Sequence, residues 1–268
     1  MDKATTILLA LILGACGQHA DEAASTPAGA ASMAPGTQDL AIYAAAVASK
    51  ARPSADRERD AGRKPAAVLA FIGIEPGMTV LDMFSGGGYY TEILSHLVGQ
   101  DGHVIAHNNE AYLQFVGDEF ERRYLGGRLG NAQVLLAENN ELTLEPDSLD
   151  AIMLVLSFHD FFYAAPDNGW PEIDVDRILA EFRHGLKDGG VVGIIDHAAA
   201  AGSPGSTGGT THRIDPAIVI SSMTDAGFAL AGQSDLLHNP DDDYEKNVFD
   251  AELRGKTDRF VLRFVKAE

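Results

Sequence analysis

The sequence predicts an α/β domain wound on both faces of a mostly parallel sheet, with an antiparallel C-terminal strand. Three observations carry this. Strand-like stretches rich in apolar residues recur at 80–83, 103–108, 134–137, 151–156 and 191–195, and those at 134–137 and 151–156 are apolar throughout, the pattern of parallel strands buried on both faces. Stretches with apolar residues at helical spacing alternate with them. Two last strand-like stretches, 228–234 and 259–266, flank a polar insertion at 237–256.

In chain order, Lys3 precedes an apolar run over 4–15, well short of the ~20 residues that span a bilayer. A basic start, an apolar core and small residues before a break describe a secretory signal over 1–15. Cys16 is the one cysteine, so no disulfide framework or cysteine zinc site can form. Residues 16–38, rich in Ala, Ser, Gly, Pro and Thr, read as a flexible tether. A helical segment fills 39–75: a helix over 39–49 capped by Asp39, a charged stretch over 52–64, and a helix over 66–71 ending near Gly73. The charged stretch holds Arg52, Arg57, Arg59, Arg63 and Lys64. It reads as a solvated helix face, with a clamp over an anionic group as the second reading.

The main domain, 76–268, begins at the turn Glu75-Pro76-Gly77-Met78. Strand 80–83 runs into Ser85-Gly86-Gly87-Gly88, and Ile93, Leu94, Leu97 and Val98 then recur at helical spacing. Strand–glycine turn–helix lets backbone N–H groups and a helix N-terminus approach a ligand closely. A helix over 111–125 ends at Gly126-Gly127. Glu138-Asn139-Asn140 follows the third strand, and a helix over 173–186 precedes the fifth. A small-residue loop over 198–211 leads to Asp215-Pro216, an N-cap and first-turn proline. Asn239-Pro240-Asp241-Asp242-Asp243 lacks calcium-loop spacing and reads as an acidic turn.

Asp82-x-x-x-Gly86-x-Gly88 resembles the first motif of class I S-adenosylmethionine-dependent methyltransferases, with Phe84 at the first glycine position, where the loop is expected to run differently or to bind more weakly. The resemblance extends from about residue 52 to the C-terminus. It is closest to a group of predicted, often secreted bacterial methyltransferases that share the segments found here at 86–92, 158–160, 212–215 and 254–260. It implies a Rossmann-like methyltransferase sheet and S-adenosylmethionine as cofactor. The implied cofactor residues are Asp82, Ser85, Gly86, Gly87, Gly88, Asn108 in the ribose position, and Glu138 and Asn139 beside the adenine.

Ligands of doubly wound sheets bind beyond the carboxyl ends of the strands. There the sequence places His159-Asp160 after strand four, Asp196-His197 after strand five and His212-Arg213 on the next loop. Two chemistries fit. His159 or His212, with Asp160, serves as general base toward an acceptor hydroxyl or amine. Alternatively, Asp160, Asp196 and a His bind a divalent metal, for which mixed ligands suit zinc, manganese or iron. The base reading is favoured. Phe158, Tyr163, Asp196, His197 and Arg213 are the candidate acceptor contacts, and Trp170 a candidate lid residue.

A net charge of -19 argues against a nucleic-acid partner, which needs a basic face. A small-molecule substrate is expected, and much of the acidity serves solubility. Leu13-Gly14-Ala15-Cys16 looks like a bacterial lipobox. It implies a lipoprotein in the periplasm, anchored to the membrane, outer rather than inner, through Cys16 alone; an ordinary signal peptide is the other reading. Against the enzyme stands a second class, a non-catalytic ligand-binding lipoprotein on the same fold.

Overall fold

The computed structural model describes residues 39–124 and 127–267; the signal, the tether and Cys16 lie outside them. Seven strands form one sheet in the order β3-β2-β1-β4-β5-β7-β6. They are β1 (Thr79–Met83), β2 (His103–Asn108), β3 (Ala132–Leu136), β4 (Leu149–Val155), β5 (Leu186–His197), β6 (Phe228–Ser234) and β7 (Arg259–Lys266). Strands β1 to β5 pair in parallel, and β7 runs antiparallel between β5 and β6.

Alternation along each strand fills two cores. Leu81, Met83, Ile152 and Ile194 face one side, with Ile178 and Phe182 of α7 (Val175–Gly185) and Val219 of α8 (Pro216–Asp225). Val80, Val104, Met153 and Ile195 face the other, with Leu69 of α3 (Pro65–Ile72) and Ile93 of α4 (Tyr89–Val98). Asp215 caps α8 by accepting from the Ala217 N–H, with Pro216 in the first turn. Helices α1 (Asp39–Val47) and α3 are thus built into the second core.

Two elements differ in part from the sequence reading. The helix expected over 111–125 is two, α5 (Glu110–Val116) and α6 (Asp118–Tyr124). Gly117, at φ 50°, divides them, a backbone state that costs glycine little. The charged stretch forms α2 (Ser54–Arg63), most of which is exposed as expected, with Asp56 as its one buried residue. Arg52 is 1% exposed and makes paired 2.8 Å bonds to Asp60, while Asp56 is buried against Arg123, 2.8 Å away.

Candidate functional site

The glycine turn sits between β1 and α4 and is fixed from three sides. The Ser85 N–H donates to His107 O at 2.8 Å, and the Gly86 N–H to the Asn108 side chain at 2.9 Å. Arg123 of α6 donates to the Gly87 carbonyl while pairing with Glu92 and Asp56. A Cβ on Gly88 would meet Arg123 at 2.4 Å, and one on Gly87 would meet Glu119 at 2.5 Å. The absence of side chains at 87 and 88 therefore lets α6 close on the turn. The Gly87 N–H has no acceptor among the described residues, and Gly87 borders a cavity of about 180 Å³ that Arg59, Arg63, Tyr89 and Glu119 also line.

Several expected cofactor residues point elsewhere. Asp82 lies on the Val80 side of β1, beneath α4, where it accepts from the Thr91 hydroxyl at 2.6 Å. It does not open onto the rim, and burial raises its carboxyl to about 7. Asn108 is fully buried and binds the turn through Gly86 and Ser85, so its amide is not presented to a ribose. Glu138 accepts from the Glu110 N–H at 3.1 Å, at the start of α5.

Phe84 keeps the glycine-like backbone, at φ 53°, instead of rerouting the loop. Its ring, 4% exposed, stacks on Tyr112 at 4.8 Å and Trp170 at 5.9 Å, with the His107 ring 5.6 Å away. It lies across the crevice over β1 and β2. Around this plug, buried polar atoms lack partners: His107 Nδ1, Asn109 Nδ2, both amide atoms of Asn139, Ser157 Oγ and Trp170 Nε1. Buried polar groups are ordinarily hydrogen-bonded, so this rim carries unused capacity for a polar ligand. Residues that could hold S-adenosylmethionine are Gly87 and Arg63, which line the small cavity together with the Glu119 carboxylate, and Asn139, whose buried amide has no partner.

At the ends of β4 and β5 a second cluster forms. The short turn Phe158–Phe162 carries His159 and Asp160. The His159 N–H donates to Asp196 at 2.8 Å, and its ring Nδ1 lies 2.8 Å from the same carboxylate. His159 Nε2 faces Asp160 Oδ1 at 3.4 Å. The His212 ring stands perpendicular to that of His159, 5.4 Å between centroids. Burial opposes charge on His159, but Asp196 and Asp160 outweigh it and raise the ring to about 9. Burial, with His159 beside it, lowers His212 to about 4. The two rings are thus pushed in opposite directions, His159 toward its protonated form and His212 toward its neutral form.

Three expected acceptor contacts are structural. Phe158 is fully buried against Phe161 and Phe162. Arg213, also fully buried, is clamped at 2.8 and 2.9 Å on Asp242, the one buried residue of the otherwise largely exposed acidic turn. Asp196 is spent on His159 and the His197 N–H. Tyr163 remains near the cluster, 6.2 Å from His212. His197 borders a second cavity of about 490 Å³, lined also by Arg59, Arg63, Phe249, Arg254 and Arg259. Burial, followed by charge repulsion from a neighbouring arginine, lowers the guanidinium pKa of both Arg63 and Arg259. Among the described residues no carboxylate lies within ion-pair distance of either. Sequence reasoning gave Arg254 and Arg259 no role, although the Arg254-Gly255-Lys256-Thr257-Asp258-Arg259 run was visible; Phe249 had no signal at all.

Residues 55–118 match the protein-family model described as protein-L-isoaspartate(D-aspartate) O-methyltransferase. The ubiquinone/menaquinone biosynthesis C-methyltransferase UbiE of Idiomarina loihiensis is 30% identical over 125 residues, which cover 46% of this chain and 44% of that protein. The chain thus spans less than half the length of that curated relative. Among solved structures, a SAM-dependent methyltransferase from Aquifex aeolicus superposes with a TM-score of 0.52 at 22% identity, covering 81% of this chain and 99% of that one. An S-adenosylmethionine-dependent methyltransferase from Mesorhizobium loti gives 0.52 at 14%, covering 78% and 100%. The architecture is that of the S-adenosylmethionine-dependent methyltransferases.

Proposed function

We propose that the chain is an S-adenosylmethionine-dependent methyltransferase acting on a small acceptor that carries an anionic group. The observation that carries this is a pair of neighbouring cavities that share Arg59 and Arg63. Gly87, whose N–H is free, and Arg63, which has no carboxylate partner, line the cavity at the glycine turn, and Arg63 also lines the larger cavity with Arg254 and Arg259. When bound, the cofactor supplies an electrophilic methyl group on a sulfonium. The chain's part is alignment and exclusion of water. Gly87 and Arg63 hold a carboxylate. Arg254 and Arg259 hold the acceptor's anionic end. His212, neutral at pH 7, takes the proton from the acceptor's oxygen or nitrogen, and the charged His159 orients it.

Calorimetric titration of the full chain with S-adenosylmethionine tests the first half, with saturable heat and one site per chain expected. Absence of heat at high micromolar cofactor would favour a non-catalytic binding protein, a reading to which the Phe84 plug lends weight. Transfer of labelled methyl to a panel of matched neutral and anionic acceptors tests the second half, since the arginine cavity calls for the anionic members.

The lipid anchor rests on Leu13-Gly14-Ala15-Cys16, and with it the periplasmic location. No helix among the described residues is long and apolar enough to cross a membrane.

A further inference from the structure

We propose that His159, Asp160 and His212 bind a divalent transition-metal ion of the zinc or ferrous kind. One ligand atom from each lies within 4.8 Å of the other two. His159 and Asp160 are buried and His212 is half-buried, so two donors are already withdrawn from water and the third keeps partial exposure.

The surroundings support ligation more than a chance cluster does. A metal-binding histidine ordinarily gives its second ring nitrogen to a carboxylate, which fixes the ring and its tautomer. Asp196 does this for His159: one oxygen lies 2.8 Å from Nδ1, and the other accepts the His159 N–H at 2.8 Å. Nε2 is thereby aimed at Asp160 and His212. The second oxygen of Asp160 accepts from the Tyr112 hydroxyl at 3.4 Å, which leaves Oδ1 for the ion. Gly208 packs so closely that a Cβ there would lie 2.3 Å from His159 O. His212 holds a left-handed backbone, φ 54°; a strained non-glycine residue of this kind persists where its surroundings over-determine it, often at a functional site.

The donor set selects the ion. Two imidazoles and one carboxylate suit zinc, iron, manganese or cobalt, whereas magnesium and calcium prefer oxygen. Asp196 acts as the orienting carboxylate, not as a ligand. The cluster adjoins the arginine cavity through Phe249, whose ring is 4.8 Å from that of His212, and through His197, 6.2 Å from His159. A bound ion there would polarise an acceptor oxygen and lower its pKa, so that the proton would leave to solvent water and not to His212. That role rests on the methyltransferase reading; ion binding does not.

The test uses the untagged full chain, stripped with chelator and dialysed, titrated with zinc by calorimetry and with cobalt by visible absorption. One ion per chain is expected. His212→Ala and Asp160→Asn should each weaken binding ~100-fold or more, and Asp196→Asn about 10- to 100-fold, as for other outer-shell partners. Circular dichroism and thermal unfolding confirm that each variant is folded. His212→Ala is the control least exposed to misfolding, because its ring is half-buried. No saturable binding by folded wild type, or unchanged affinity in folded His212→Ala, overturns the proposal. A parallel cofactor titration in chelator separates the two readings: zinc without cofactor binding upholds the ion site and rejects the methyltransferase, and the reverse rejects the ion site alone.

Discussion

Replacing Phe84 with glycine is expected to weaken the free protein and strengthen its hold on S-adenosylmethionine. The ring is 4% exposed and stacks on Tyr112 and Trp170. Deleting such a core aromatic costs about 3–5 kcal/mol. Glycine at φ 53° relieves roughly 1–2 kcal/mol of left-handed strain, so the net loss should be about 1–4 kcal/mol, read by denaturant unfolding without ligand. Cofactor entry in the wild type must first expose the ring, at about 1.5–3 kcal/mol. Removing that cost should tighten calorimetric Kd about 10- to 100-fold at ~1.4 kcal/mol per decade. Lower stability with unchanged or weaker affinity would mean that the ring does not stand in the cofactor's way.

Four further outcomes follow from the same geometry. Arg63→Met should weaken cofactor binding by ~10-fold or more, the loss of a charge-assisted bond of about 1.5–3 kcal/mol, whereas Arg254→Met should raise acceptor KM and spare cofactor Kd. Asp82, raised to about 7 by burial, binds a proton in the native state that the unfolded chain releases near its ordinary 3.8, so stability falls as pH rises from about 4 to about 7. Asp82→Asn should abolish that fall, worth up to ~4 kcal/mol at 1.36 kcal/mol per unit, in unfolding midpoints compared at pH 4 and pH 8. Asp242→Asn leaves the fully buried Arg213 without its charge partner and should cost about 3–5 kcal/mol, read as a lower thermal midpoint. Cys16→Ser should move the protein from the membrane to the soluble fraction on cell fractionation, and retention on the membrane would count against lipidation.

The sheet was legible because its signal is local. Apolar runs and the glycine turn located the strands, and the bounds of β2, β6 and β7 agree with the sequence reading residue for residue. Asp215-Pro216 announced α8 for the same reason. What failed depends on partners distant in sequence. Arg52 and Asp56 look solvated until Asp60 and Arg123 arrive to pair them. Arg213 looks free until the insertion supplies Asp242, 29 residues on. Asp82 was placed at an opening, but strand alternation turns it under α4. Near the site, composition rightly marked His159, Asp160, Asp196 and His212 as a convergent set. Which atom faces which could not be read, because a one-dimensional pattern carries no ring orientation.

A crystal structure of the full chain soaked with S-adenosylmethionine tests the central claim most directly. The cofactor's carboxylate is expected on the Gly87 N–H and Arg63, its base near Asn139, and the Phe84 ring displaced from Tyr112. A crevice without cofactor at saturating concentration, with Phe84 still stacked on Tyr112 and Trp170, would contradict it.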